Sequence, residues 1–194
     1  KLAQLLRVYE RVSGRAESEI PKSPGLCIAN GFVAGPAIED EGMAIAFELK
    51  GTPDAYFKFS ELGDLHETTS LLQRGSQIEK EISPSGTVTL RKGALRIHDQ
   101  PYEEWLMHGP TSEKVQGTMF TLHGNETASG PSKPFITWML YNGFHPLVPP
   151  DLSLEEKERR GLFKSLEQAS FSAAEAVALW DKVIPTLRPR PGAF

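Results

Sequence analysis

Between residues 25 and 141 the chain is a succession of short apolar or alternating runs cut by Gly- and Pro-bearing turns, and this spacing constrains its fold more than any other feature. Residues 25–35 form a short apolar run containing the turn signal Asn30-Gly31, with Phe32-Val33 beyond it. Runs at 43–49 and 55–59 flank Thr52-Pro53-Asp54, and runs at 87–90 and 95–97 flank Arg91-Lys92-Gly93, each read as a turn. Runs at 104–107, 117–122 and 135–141 complete the series. Strands at this spacing, joined by hairpin-length loops, pair most simply as an antiparallel sheet. The intervening stretch 64–83 is polar and weakly patterned, with Ile78 to Ile82 read as helical.

Helical periodicity appears at both ends. Leu2, Leu5, Leu6, Tyr9 and Val12 fall on one stripe, and Gly14, a polar run and then Pro21 and Pro24 follow. Residues 1–19 are therefore expected to be a helix and linker leading in from an upstream segment, with a single domain over 20–194. Towards the C-terminus, Ser153 with Glu156 and Ser172 with Glu175 have capping-box spacing. The second of these helices carries the stripe Ala173, Ala176, Val177, Trp180, Val183, Ile184 and Leu187, and Pro185 and Pro189 fix its stop. The expected fold is α+β: a mainly antiparallel β-sheet with helices packed on one face and the C-terminal amphipathic helix on the sheet, anchored by Trp180.

Composition narrows the function. A chain of 194 residues with 39% hydrophobic and 24% charged residues has material for a sizeable core. Its net charge of −4, with both signs interspersed, offers no basic stripe for nucleic acid. No stretch approaches the roughly 20 apolar residues of a membrane-spanning helix. Cys27 is the only cysteine, which excludes an internal disulfide, and its neighbours Leu26 and Ile28 suit a buried, inert thiol. The chain starts at Lys1, without Met, inside a helical pattern, as a fragment whose targeting signal lies upstream would.

Catalytic patterns fail one by one. His66, His98, His108, His123 and His145 form no pair at ligand spacing, and His66-Glu67 lacks the second histidine of H-E-x-x-H because position 70 is Ser. Ser112 and Ser132 lack the G-x-S-x-G elbow, and Pro134 spoils a helix start after Ser132. No glycine-rich phosphate loop follows a strand. Glu103 and Glu104 are adjacent in a strand and so point to opposite faces, which prevents a shared proton. Asn125-Glu126-Thr127 matches the glycosylation sequon, a short pattern that arises often by chance. No catalytic, metal or cofactor-binding residue is expected. Candidate partner contacts are Phe144 and His145, in a Pro-bounded loop after a strand, and the acidic run Glu39, Asp40 and Glu41, suited to steering a basic partner.

Three segments in order carry a family resemblance: Glu19-Ile20-Pro21 with Pro24-Gly25-Leu26-Cys27-Ile28 and Asn30 to Gly35; Leu90-Arg91-Lys92-Gly93 with Pro101 and Glu103-Glu104; and Ala178-Leu179-Trp180-Asp181 running to Leu187-Arg188-Pro189-Arg190 and Phe194. Together they resemble the C-terminal domain of the immunity proteins that protect bacteria from type VI secretion lipase effectors. Asp99 and Tyr102 stand where that family tends to carry glycine, a departure that a type I turn accommodates. The segment 146–170 is longer than usual for the family.

The resemblance implies a non-enzymatic periplasmic protein whose partner is a secreted lipase or phospholipase, with a further domain and a signal upstream. It implies inhibition by clamping the enzyme, covering its catalytic mouth or holding its lid shut. The alternative from another class is a periplasmic small-ligand or lipid-binding domain, whose sheet and helices enclose an apolar molecule. A hydrolase with an unmotifed site is the third reading.

Overall fold

The computed structural model describes residues 2–36, 42–65, 67–145, 154–159 and 166–190. Helix α1 (Leu2–Glu10) ends before Val12, which instead opens strand β1 (Val12–Gly14). Then come β2 (Gly25–Ile28) and β3 (Gly31–Ala34), and the three form a small antiparallel sheet in the order β1-β3-β2. Ile28 pairs with Gly31, so the tight turn is Ala29-Asn30, with Asn30 in the left-handed region that asparagine tolerates. Arg11 and Arg15 tie the first strand to the third through backbone carbonyls: Arg11 Nε donates to Ala34 O at 2.5 Å and Arg15 Nε to Gly31 O at 3.2 Å.

The larger sheet holds β4 (Gly42–Leu49), β5 (Thr52–Leu62), β6 (Val88–Ile97), β7 (Gln100–Pro110), β8 (Gln116–Gly124) and β9 (Phe135–Asn142), in the spatial order β4-β5-β9-β8-β7-β6 with every pair antiparallel. Two turns lie elsewhere than the sequence pattern suggests. The β4–β5 turn is Lys50-Gly51, where Gly51 supplies φ of +85°, and Thr52-Pro53-Asp54 belongs to the following strand. Arg91-Lys92-Gly93 is no turn either, because β6 runs through it with a bulge near Thr89 and Arg91. The true hairpin is His98-Asp99, between the pair Ile97 and Gln100. Both residues have positive φ, +44° and +67°, as the I′ hairpin geometry requires and the type I turn does not. Glycine suits Asp99's position for that reason. Tyr102 is accommodated differently: it pairs with Gly124, where an added Cβ would meet the Tyr102 ring at 2.6 Å.

The two faces of the large sheet are covered unequally. Helix α2 (Gly75–Ile82) and the turn before it lie over Trp105 and Met107, with Leu71, Leu72, Ile78 and Ile82 completing the contact. A short helix, α3 (Leu154–Arg159), precedes α4 (Ala173–Val183), which packs on the other face. The Ser172–Glu175 capping box is formed in both directions, and Ala176, Trp180 and Ile184 bury the expected stripe among Leu106, Phe120, Leu122 and Leu140. Ser153 lies outside the described residues.

Candidate functional site

Phe144 and His145 leave β9 at a corner fastened by two buried polar side chains. Asp54 is 2% exposed; its Oδ2 accepts from Gly143 N at 3.1 Å and Ser170 N at 2.8 Å, and Oδ1 accepts from the Ser170 hydroxyl. Asn142, fully buried, brackets Phe171: its Nδ2 donates to Phe171 O at 2.8 Å and its Oδ1 accepts from Phe171 N at 3.0 Å. These bonds hold the start of α4 against the ends of β5 and β9. Phe144 is half-buried and stands edge-on to Tyr141 at 5.3 Å, and Tyr141 stacks on Tyr56 at 4.9 Å. Burial and the neighbouring Tyr141 push the Tyr56 hydroxyl up to about 12, so it stays neutral. His145 Nε2 lies 3.0 Å from Glu113 Oε2. The corner thus brings Phe144 and His145 together as a half-buried, rigidly held pair. Glu39, Asp40 and Glu41 lie outside the described residues.

The three segments of the family resemblance meet in space. Arg91 Nε reaches Glu104 Oε1 at 2.6 Å, while its Nη2 reaches Asp181 Oδ1 at 2.5 Å. The buried Glu104 also accepts from Trp180 Nε1 at 2.9 Å. The bonds to Asp181 and Glu104 raise the Arg91 pKa further above its already high ordinary value. Arg190 continues the chain of contacts: its Nη1 donates to Pro21 O at 2.9 Å, its Nη2 to Gly25 O at 2.6 Å, and its guanidinium sits 5.3 Å from the Phe32 ring. The second segment is thereby joined to the third, and the third to the first.

Beside this junction the α4 face of the sheet is open. A cleft of about 270 Å³ has Met43, Phe59, Ile136 and Trp138 as its floor, β2 as one wall and residues 187–190 as the other. Trp138 is ringed by Phe47 at 5.8 Å, Phe59 at 5.1 Å and Phe57 at 6.3 Å. Arg11, Arg188 and Arg190 line the cleft with one carboxylate, Glu61, among the described residues.

On the far face, Glu126 (6% exposed) accepts from Leu71 N at 2.7 Å and from Arg74, and His123 Nδ1 lies 3.1 Å from the same carboxylate, off the line of a hydrogen bond. Burial opposes ionisation of Glu126, but His123 and Arg74 outweigh it and hold its carboxyl below the ordinary range. Glu103 pins the same turn, accepting from Ser70 Oγ at 2.9 Å and Leu72 N at 2.8 Å. The two adjacent glutamates do serve opposite faces. Asn125 of the sequon donates to Pro134 O at 3.0 Å, so its amide already has a partner. Among the described residues no three His, Cys, Asp or Glu side chains gather to hold a metal ion, and no helix is long and apolar enough to cross a membrane. Asp54, Glu126 and Asn142 carried no recognisable signal in the sequence, because their partners lie far along the chain.

Comparison with known proteins agrees with this architecture. The model of the Tle cognate immunity protein 4 C-terminal domain matches residues 19–192. No curated protein matches the chain. Among solved structures, the apo form of the immunity protein TplEi of the type VI secretion system of Pseudomonas aeruginosa is 27% identical, with a TM-score of 0.66 over 95% of this chain and 56% of that one. TplEi in complex with a peptide designated "L" is 25% identical, with a TM-score of 0.67 over 98% of this chain and 63% of that one. A chain of the Tle4–Tli4 complex is similar in fold, with a TM-score of 0.69 at 22% identity, over 98% of this chain and 59% of that one. The chain thus spans less than two thirds of the length of the solved proteins it matches. With its second signature segment bound to the third, the third bound to the first, and the family model covering nearly all of it, the chain belongs to the family of Tle cognate immunity protein 4 C-terminal domains.

Proposed function

We propose that this chain works without catalysis, by binding a type VI secretion lipase or phospholipase effector and neutralising it in the periplasm. The observation that carries the reading is the family match over residues 19–192. The likeness to TplEi, an immunity protein solved also with a bound peptide, supports recognition of a polypeptide over turnover of a small substrate. The fold suits such work: α4 is packed on the large sheet through a buried core, so an exposed surface on them is pre-organised and little ordering is lost on binding. A specific inhibitory contact of this kind buries about 1,600 Å² in total. It either covers the catalytic mouth of the enzyme or holds its lid closed.

The test is a titration of this chain into the lipase encoded beside it, following binding heat and lipid hydrolysis together. Tight binding with loss of hydrolysis is expected. A folded chain that leaves the lipase unbound overturns the reading. Location is tested separately, by fractionating cells that carry the full-length gene, where the protein is expected in the periplasmic fraction.

A further inference from the structure

The two edges of the large sheet are built differently. Edge strand β6 carries Arg91, Lys92 and Arg96 and is bent by a bulge, features that discourage the addition of another strand. Edge strand β4 has one charged residue, Glu48, in its eight, and its bulge lies at that same far end. Among the described residues, no strand pairs with the outer side of β4. A regular strand with an unpaired row of backbone N–H and C=O groups and almost no charge is a template for an incoming extended segment.

That open edge leads into the cleft described above. Gly42 and Met43, at the start of β4, line it together with β2, which is itself an edge strand of the small sheet. The floor at Trp138 and Phe59 is apolar and aromatic. At the rim stands Arg188, exposed and without a bonded partner among the described residues. An arginine fork in that position matches a carboxylate. The volume of about 270 Å³ falls just below the roughly 300–1,000 Å³ of clefts that enclose a whole small molecule, and it suits anchoring side chains of a longer chain better.

We propose that an extended segment of the partner lipase adds to the free edge of β4 and runs on into the cleft, placing an apolar side chain against Met43, the floor residue that β4 itself supplies, and a carboxylate on Arg188. The proposal rests on the lipase-binding reading above and specifies where that binding occurs. It is tested with the whole chain against the lipase encoded beside it and against synthetic 12-residue peptides tiling that lipase. Arg188→Glu is expected to weaken lipase binding by about tenfold or more, Met43→Trp to weaken it by filling the cleft, and Leu90→Lys on the opposite edge to leave it unchanged. A peptide with an apolar residue close to Asp or Glu is expected to compete. Arg188 is exposed, so its variant tests the cleft even if Met43→Trp disturbs the fold. Lipase binding that survives both cleft substitutions overturns the proposal and leaves the inhibitor reading intact, whereas a wild-type chain that does not bind the lipase removes the reading itself. Selective loss of binding to phosphatidylglycerol vesicles in the two cleft variants, with lipase binding unchanged, assigns the cleft to lipid and likewise overturns the proposal.

Discussion

The two faces of the large sheet hold their helices by different means. Among the described residues, α4 and the sheet share a cluster of nine buried residues, from Phe57 to Ile184, large enough for apolar burial to fix the helix. Under α2 the buried cluster among the described residues is Leu71, Trp105 and Met107, so much of the fastening falls to carboxylates. Glu103 and Glu126 accept backbone N–H groups from the turn at Leu71 and Leu72, and Arg74 and His123 gather round Glu126. The α4 face has its polar pin too, but there Glu104 fixes the direction of Trp180 inside a core that already exists. One face should therefore yield to lost volume and the other to lost charge.

Trp180→Ala should produce the largest effect, a destabilisation of about 3–5 kcal/mol with loss of cooperative folding, read by chemical denaturation. A variant that kept its midpoint would break the assignment of α4 as the volume-dependent side. Trp180→Phe keeps most of the volume and removes the bond to Glu104, so a smaller loss of about 1–3 kcal/mol is expected. Glu126→Gln should cost a similar amount, about 1–3 kcal/mol, but locally. Amide exchange should rise at Leu71, Leu72 and through α2 while α4 stays protected, and equal loss of protection on both faces would erase the contrast. Acid should act in the same place. The Glu126 carboxyl is held below its ordinary value of 4.5, so its contribution is present above that pH and is lost as pH falls through the lower folded value. The protection factor at Leu71, corrected for the intrinsic slowing of exchange in acid, should fall below pH 4.5 before that of α4 does. The smallest effect, about 0.5–2 kcal/mol, is expected for Ser172→Ala, which removes the cap of α4.

What was legible in the sequence follows the range of the forces involved. The α4 stripe, its cap and most strands of the large sheet are local patterns of period and punctuation, and they appear where expected, except that the runs at 87–90 and 95–97 are one strand, β6. The α+β antiparallel architecture follows from them. The misplaced turns have a common cause: charged and Pro-bearing tripeptides look like turns, yet Arg91 and Lys92 point from a strand toward Asp181 and Glu79, while Asp54 is consumed by Ser170, 116 residues later. Positive φ at His98 and Asp99 has no residue-type signature as strong as glycine's. The cleft was illegible because its walls come from β2, β4 and the stretch after α4, and no window of sequence contains all three.

The contact between Arg190 and the first strands has a kinetic consequence. Its bonds to Pro21 and Gly25 span 169 and 165 residues, among the longest loops this chain can close. Hairpins such as β6–β7 and β7–β8 close over short loops and can form early, whereas the pairing of β5 with β9 waits for the chain between them. The small sheet is locked in place only once residue 190 has travelled back to the beginning of the chain. During folding it is thus the last part to be secured, and until then its edges and the aromatic floor near Trp138 stay open to mispairing.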